Sequence, residues 1–164
     1  MNQSNDQSLR EQLVSLLTGG NAHLTLDDFI KDFPADRCGE RVPGLPYTAW
    51  QVLEHIRIAQ RDILEFSRNA AHVSPKWPEG YWPKPDEAGD AASWARSVER
   101  LRADTEETVA LINDPATDLF AKIPHGSGQT ILREALLVAD HNAYHLGVLV
   151  AIDRSLKGNT NTRT

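Results

Sequence analysis

The chain has 164 residues, 40% of them hydrophobic and 24% charged, which suits a single folded domain and excludes an intrinsically disordered chain. Its formal net charge of −6 and pI near 5.5 argue against a nucleic-acid partner, because phosphate binding draws on clustered Lys and Arg. The one cysteine, Cys38, cannot form an internal disulfide and fits a reducing, cytoplasmic setting, where it reads as a loop or half-buried residue rather than a reactive thiol.

The opening "MNQSNDQSLREQ" is polar and lacks the apolar core of a signal peptide. No apolar run approaches the roughly 18 residues that a membrane-spanning helix needs, so no membrane partner is expected. Apolar residues recur at spacings of three and four, and none alternate convincingly with period two, so the elements should be helices.

The first helix is expected over residues 5–17, with Leu9, Leu13, Leu16 and Leu17 on one face and the glycines at 19 and 20 stopping it. A second begins at "TLDD", where Thr25 can cap and Asp28 holds the capping-box position. Its stripe is Leu26, Phe29, Ile30 and Phe33, and Pro34 ends it. The stretch "PADRCGERVPGLP" holds three prolines and two glycines in thirteen residues and reads as a long crossover. "YTAWQVLEHIRIAQRDILEFSRN" is strongly amphipathic, with Trp50, Leu53, Ile56, Ile63 and Phe66 among its apolar positions.

A long loop containing "SPKWPEGYWPKP" follows, and then a helix through "AASWARSVERLRADTEETVALIND", closed by Asp114-Pro115. After "PHGSGQ" the last helix should start at residue 129 or 130 and run to about 157, ending at Gly158. The expected fold is all-α. It is a four-helix bundle with a long crossover, and an aromatic, proline-rich loop joins its second and third helices. Residues 1–158 would form the one domain, with 159–164 a disordered tail.

Six histidines occur, at 23, 55, 72, 125, 141 and 145. In "DHNAYHLG" His141 and His145 lie four apart, so on a helix their rings can aim at one point. Steps of three and four from the pair meet Leu137, Val138, Val148, Leu149 and Ile152, which places both on or beside the core stripe. A buried imidazole needs a partner at each ring nitrogen, and an unpaired buried polar group costs roughly 1–3 kcal/mol. A divalent ion would take one nitrogen from each ring. His55, flanked by Val52, Ile56 and Ala59, is the best third ligand from a facing helix. His23, His72 and His125 read as structural or surface residues. No H-E-x-x-H and no E-x-x-H occurs, and one cysteine cannot build a cysteine-rich zinc site, so a mononuclear three-histidine site is the surviving scheme.

At "LPYTAWQVLEHIRIAQRDILEF" and "REALLVADHNAYHLGVLVAIDR" the chain resembles the DinB/YfiT-like superfamily, and "SPKWPEGYWP" resembles the loop of a subgroup of it. The resemblance implies a four-helix bundle in which His55, His141 and His145 bind one divalent metal ion. It also implies a possible homodimer, and activity as a transferase or isomerase that uses low-molecular-weight thiols, or as a hydrolase. Many relatives carry Gln after "HLG", whereas this chain has Val148, so any polar role there is missing.

Three imidazoles suit zinc or nickel, and manganese or iron also fit. Such an ion would activate a water or a small thiol, making a small molecule the expected substrate. The catalytic residues are unknown. Glu134, two turns before His141, and Asp62, two turns after His55, are candidates to orient a histidine or relay a proton. Asp140 and Asn142 adjoin a ligand but should point to other faces. Trp77, Tyr81 and Trp82 would form a substrate rim, or else pin their loop to the helices. The alternative function is a non-catalytic bundle that binds a metal or a ligand.

Overall fold

The computed structural model describes residues 3–19 and 22–161. The described residues form five helices: α1 (Gln3–Thr18), α2 (Leu26–Asp32), α3 (Ala49–Arg68), α4 (Ala91–Asn113) and α5 (Ile131–Asn161). Two single 3-10 turns, Ala35–Arg37 and Glu79–Tyr81, interrupt the two long connections. No strand occurs among the described residues. An isolated bridge between Lys122 and Thr130 closes the "PHGSG" loop before α5.

The helix starts follow the local chemistry. Thr25 caps α2 by accepting from the Asp28 amide. At α3, Thr48 accepts from the Gln51 amide while the Gln51 side chain accepts from the Thr48 amide, a full capping box. Asp90 and Ser93 do the same at α4. The α1 stop is Gly19, whose φ of +89° is open to glycine at little cost. The expected stop at Gly158 needs correction, because α5 runs on through it to Asn161. Gly158 is not among the positive-φ glycines, so it does not form the left-handed cap that ends a helix. Residues 162–164 of the expected tail lie outside the described residues.

α3 is the central element. It packs along both α4 and α5, while α1 lies against the same two helices. The main core joins Leu53 and Ile56 of α3 to Val98 and Leu101 of α4 and to Leu146, Leu149 and Ile152 of α5. Phe29 of α2 and Phe33, which caps its C-terminus, extend it through a stack onto Trp94, at centroid distances of 5.3 and 4.9 Å. A smaller cluster of Leu13, Ile112, Leu119 and Ala135 fills the other end. Cys38 is fully buried in the main core rather than half-buried in a loop, because the 3-10 turn before it rolls the crossover inward.

By length and composition Ile131–Gly158 of α5 is apolar enough to cross a membrane, which inspection of apolar runs alone does not reveal. In the structure one stripe of this helix packs in the core, and the same helix carries His141 and His145.

Candidate metal centre

The apolar stripe of α3 is interrupted at His55, which is 3% exposed between Val52, Ile56 and Ala59. On α5, a spacing of four stacks the His141 and His145 rings on one face, with centroids 4.5 Å apart. Packing of α5 on α3 brings the three rings together. His55 Nε2 lies 3.1 Å from His145 Nε2 and 3.1 Å from His141 Nε2. One ligand nitrogen from each histidine lies within 4.8 Å of the other two.

The protonation pattern follows from the surroundings. His55 Nδ1 is 2.8 Å from the Tyr81 carbonyl, which can only accept, so Nδ1 carries the proton and Nε2 presents its lone pair to the cluster. Burial pushes the His55 pKa down to about 4; the Tyr81 carbonyl works against that shift and the His141 charge adds to it. Burial likewise lowers His145 to about 4, with the charges of His141 and His55 adding. His141 is lowered by burial too, opposed by the adjacent Asn142 side chain and by the charge of Asp140. All three rings are therefore neutral near pH 7 and offer lone pairs instead of positive charge.

That arrangement fits a divalent ion. Imidazole nitrogens sharing one ion at about 2.0–2.1 Å sit roughly 3.3 Å apart, close to the 3.1 Å contacts here. The buried Nδ1 atoms of His141 and His145 meet no hydrogen-bond partner of normal geometry.

The loop before α4 holds His55 from two sides. Trp82 lies flat on the ring, with centroids 3.8 Å apart and planes 4° off parallel, and Tyr47 stacks on the far face of Trp82 at 4.0 Å. Tyr81 supplies the carbonyl, and its hydroxyl donates to Asp62 Oδ2 at 2.6 Å. Trp82 and Tyr81 thus pack and pin, whereas Trp77 is 70% exposed and meets the Tyr81 ring at an angle, with centroids 5.4 Å apart. Tyr144, which is 71% exposed, stands edge-on to His145 and is a rim residue that sequence reasoning missed.

The two candidate carboxylates are not in the histidine group. Asp62 is 9% exposed and holds the Tyr81 hydroxyl and His72 Nε2, the latter at 2.7 Å. Glu134 is 3% exposed, pairs with Arg133 at 2.7 Å, and faces a small apolar cavity with Ile63, Leu64 and Ile112. His72, expected to be structural or surface, is Asp62's partner. His125 bonds the Phe66 carbonyl and His23 the Leu24 carbonyl, both structural roles. Gln60, which the sequence reading did not single out, and Asn142, which it expected on another face, are joined at 2.7 Å beside the site; a glutamine at the spacing of the α3 apolar stripe was the available signal.

A family model described as the DinB superfamily matches residues 22–149, and the chain belongs to that superfamily. No curated protein and no solved structure matches it.

Proposed function

We propose that this member of the DinB superfamily is a divalent-metal-dependent enzyme in which His55, His141 and His145 hold one ion, zinc or nickel by preference, with manganese or iron also compatible. The carrying observation is the convergence of three neutral imidazoles, two with pKa values near 4, from α3 and α5. We also infer that α1, α3, α4 and α5 form the four-helix bundle expected of the family.

When bound, the ion supplies Lewis acidity that lowers the pKa of a water or of a low-molecular-weight thiol toward neutrality. The chain's own groups hold and shield. Tyr81 fixes the His55 tautomer through its carbonyl, and the Trp82–Tyr47 stack keeps water off one face of that ring. Trp77 and Tyr144 offer exposed aromatic area for a small substrate. Thiol S-transfer and hydrolysis are the two reactions this chemistry favours. A buried, unpaired Cys38 supports a reducing, cytoplasmic setting, in which such thiols are abundant.

The test is metal analysis of tag-free protein, beside His55→Ala, His141→Ala and His145→Ala. One equivalent of metal is expected in the wild type and a large loss in each variant; equal metal content in all four would refute the site. A panel of cellular thiols with electrophilic acceptors then tests S-transfer. Turnover only in ester or amide hydrolysis selects the second reaction, and metal binding with no turnover in either selects a binding protein.

A further inference from the structure

Two amides beside the site, one fully buried and one half-buried, have no place in the function just proposed. Gln60 on α3 is 1% exposed, and its Nε2 donates to the Leu101 carbonyl at 3.3 Å and to Thr105 Oγ1 at 2.8 Å on α4. A backbone carbonyl only accepts, so that end of Gln60 is its NH2 and Oε1 faces the other way. The Thr105 hydroxyl agrees: it donates to the Leu101 carbonyl at 2.9 Å, so toward Gln60 it is an acceptor. Asn142 Nδ2 donates to Gln60 Oε1 at 2.7 Å. The direction of the Asn142 amide follows by elimination, with its NH2 on Gln60 and its Oδ1 turned away. That oxygen is buried and meets no hydrogen-bond partner of normal geometry.

His141 is the preceding residue, and its Nδ1 is also buried without such a partner. One atom is an acceptor. The other is a donor in the tautomer whose Nε2 is bare, and that is the tautomer a metal ligand needs. In the structure both atoms lack a partner, yet they sit on neighbouring residues and one can donate what the other accepts.

We propose that Asn142 is a positioning residue for the ligand His141, its Oδ1 accepting from the His141 Nδ1–H so that the bare Nε2 aims at His55 and His145. The assignment rests on the three-histidine site proposed above. Asn142 would do for His141 what the Tyr81 carbonyl does for His55. Its own direction is set by Gln60 and, through Gln60, by Thr105 and the Leu101 carbonyl. One hydrogen-bonded chain thereby ties α4, α3 and α5 to the orientation of one ring. It also accounts for a fully buried glutamine on the buried face of α3.

Zinc(II) and nickel(II), each alone, are titrated into metal-free wild type, Asn142→Leu and Asn142→Asp in competition with a chelator. The ring protons of the zinc-loaded proteins are followed by NMR. Removing an outer hydrogen-bond partner of a ligand typically weakens metal binding about 10–100-fold, and that loss is expected for Asn142→Leu. Asn142→Asp keeps an acceptor and should bind more tightly than the Leu variant. The exchange-protected His141 Nδ1–H should be present in wild type and in Asn142→Asp and absent in Asn142→Leu, which a merely structural role would not produce.

Wild-type affinity with a protected Nδ1–H in Asn142→Leu overturns the proposal, as does equal weakening of the Leu and Asp variants. Should Asn142→Leu not fold, Gln60→Leu frees the amide without removing it. A smaller loss of affinity then supports the proposal, and no loss refutes it. Wild type that binds neither metal overturns the three-histidine site itself, whereas wild type that binds while Asn142→Leu is indifferent overturns only the role of Asn142.

Discussion

Cys38 is 0% exposed, and burial pushes its thiol up to about 11 from an ordinary 9.0, with the charge of Asp90 adding. Below pH 9 the thiol is protonated in folded and unfolded chains alike. Between about 9 and 11 the unfolded chain ionises while the folded chain resists, so stability should fall across that window. Urea midpoints measured through it should drop in the wild type and flatten in Cys38→Ala; parallel curves would refute the assignment. Tyr81 gives a second residue-scale test. Tyr81→Phe removes the hydroxyl from buried Asp62 but keeps the carbonyl on His55, so it should cost about 1–3 kcal/mol in denaturant unfolding. Metal content should suffer less than in His55→Ala, and equal loss in both would refute this division of roles. At this scale the three histidines were legible, because ligand spacing and register are both periodic properties. Asp62 does hold a histidine, but it is His72, ten residues on in a loop, and none of the three in the cluster. Helical register reports neighbours on the same helix and is blind to a partner brought back by a turn. The Tyr81 contact was illegible for the same reason, since its acceptor is backbone and any residue type could supply it.

At the scale of elements, the helices and most of their ends were legible because caps are local chemistry. "TLDD" and the Thr48–Gln51 pair act as their spacing implies. Thr48 is 0% exposed and also donates to the Ala88 carbonyl at 2.8 Å, so it caps α3 and pins the start of α4 together. Thr48→Ala should cost about 1–2 kcal/mol in chemical unfolding, and a change near zero would mean that the cap is replaceable. Gly89, beside that pin, has φ of +87°, and a Cβ there would stand 2.4 Å from the Trp50 ring. Strain and overlap both oppose a side chain, so Gly89→Ala should lose about 2–4 kcal/mol, read in the same assay. The end of α5 was misplaced for a related reason. A glycine ends a helix only if the chain turns there into the left-handed region, and Gly158 keeps to the helix. Composition alone does not say which glycines turn.

At the scale of the molecule, the candidate site lies where the two most apolar partners meet. α3 and α5 are held together by Leu53, Ile56, Leu149 and Ile152, and the histidines interrupt that same contact. Three imidazoles set close together there, with His55 Nε2 3.1 Å from both partners, take the place of apolar side chains and gain no charge pairing in return. An ion held by both helices would close that gap, and because the unfolded chain scatters its three ligands, binding should stabilise the fold through mass action. At free zinc about 100-fold above the dissociation constant the gain is about 2.7 kcal/mol, which for a domain of this size raises Tm by roughly 5–10 °C. Calorimetry of chelator-stripped protein, with zinc added back, should show that rise in the wild type. His145→Ala should show little of it, because the remaining pair on α3 and α5 is too weak a chelate. Equal shifts in both proteins would place the zinc elsewhere. No shift in the wild type at saturating zinc would mean that metal binding is not coupled to the α3–α5 contact.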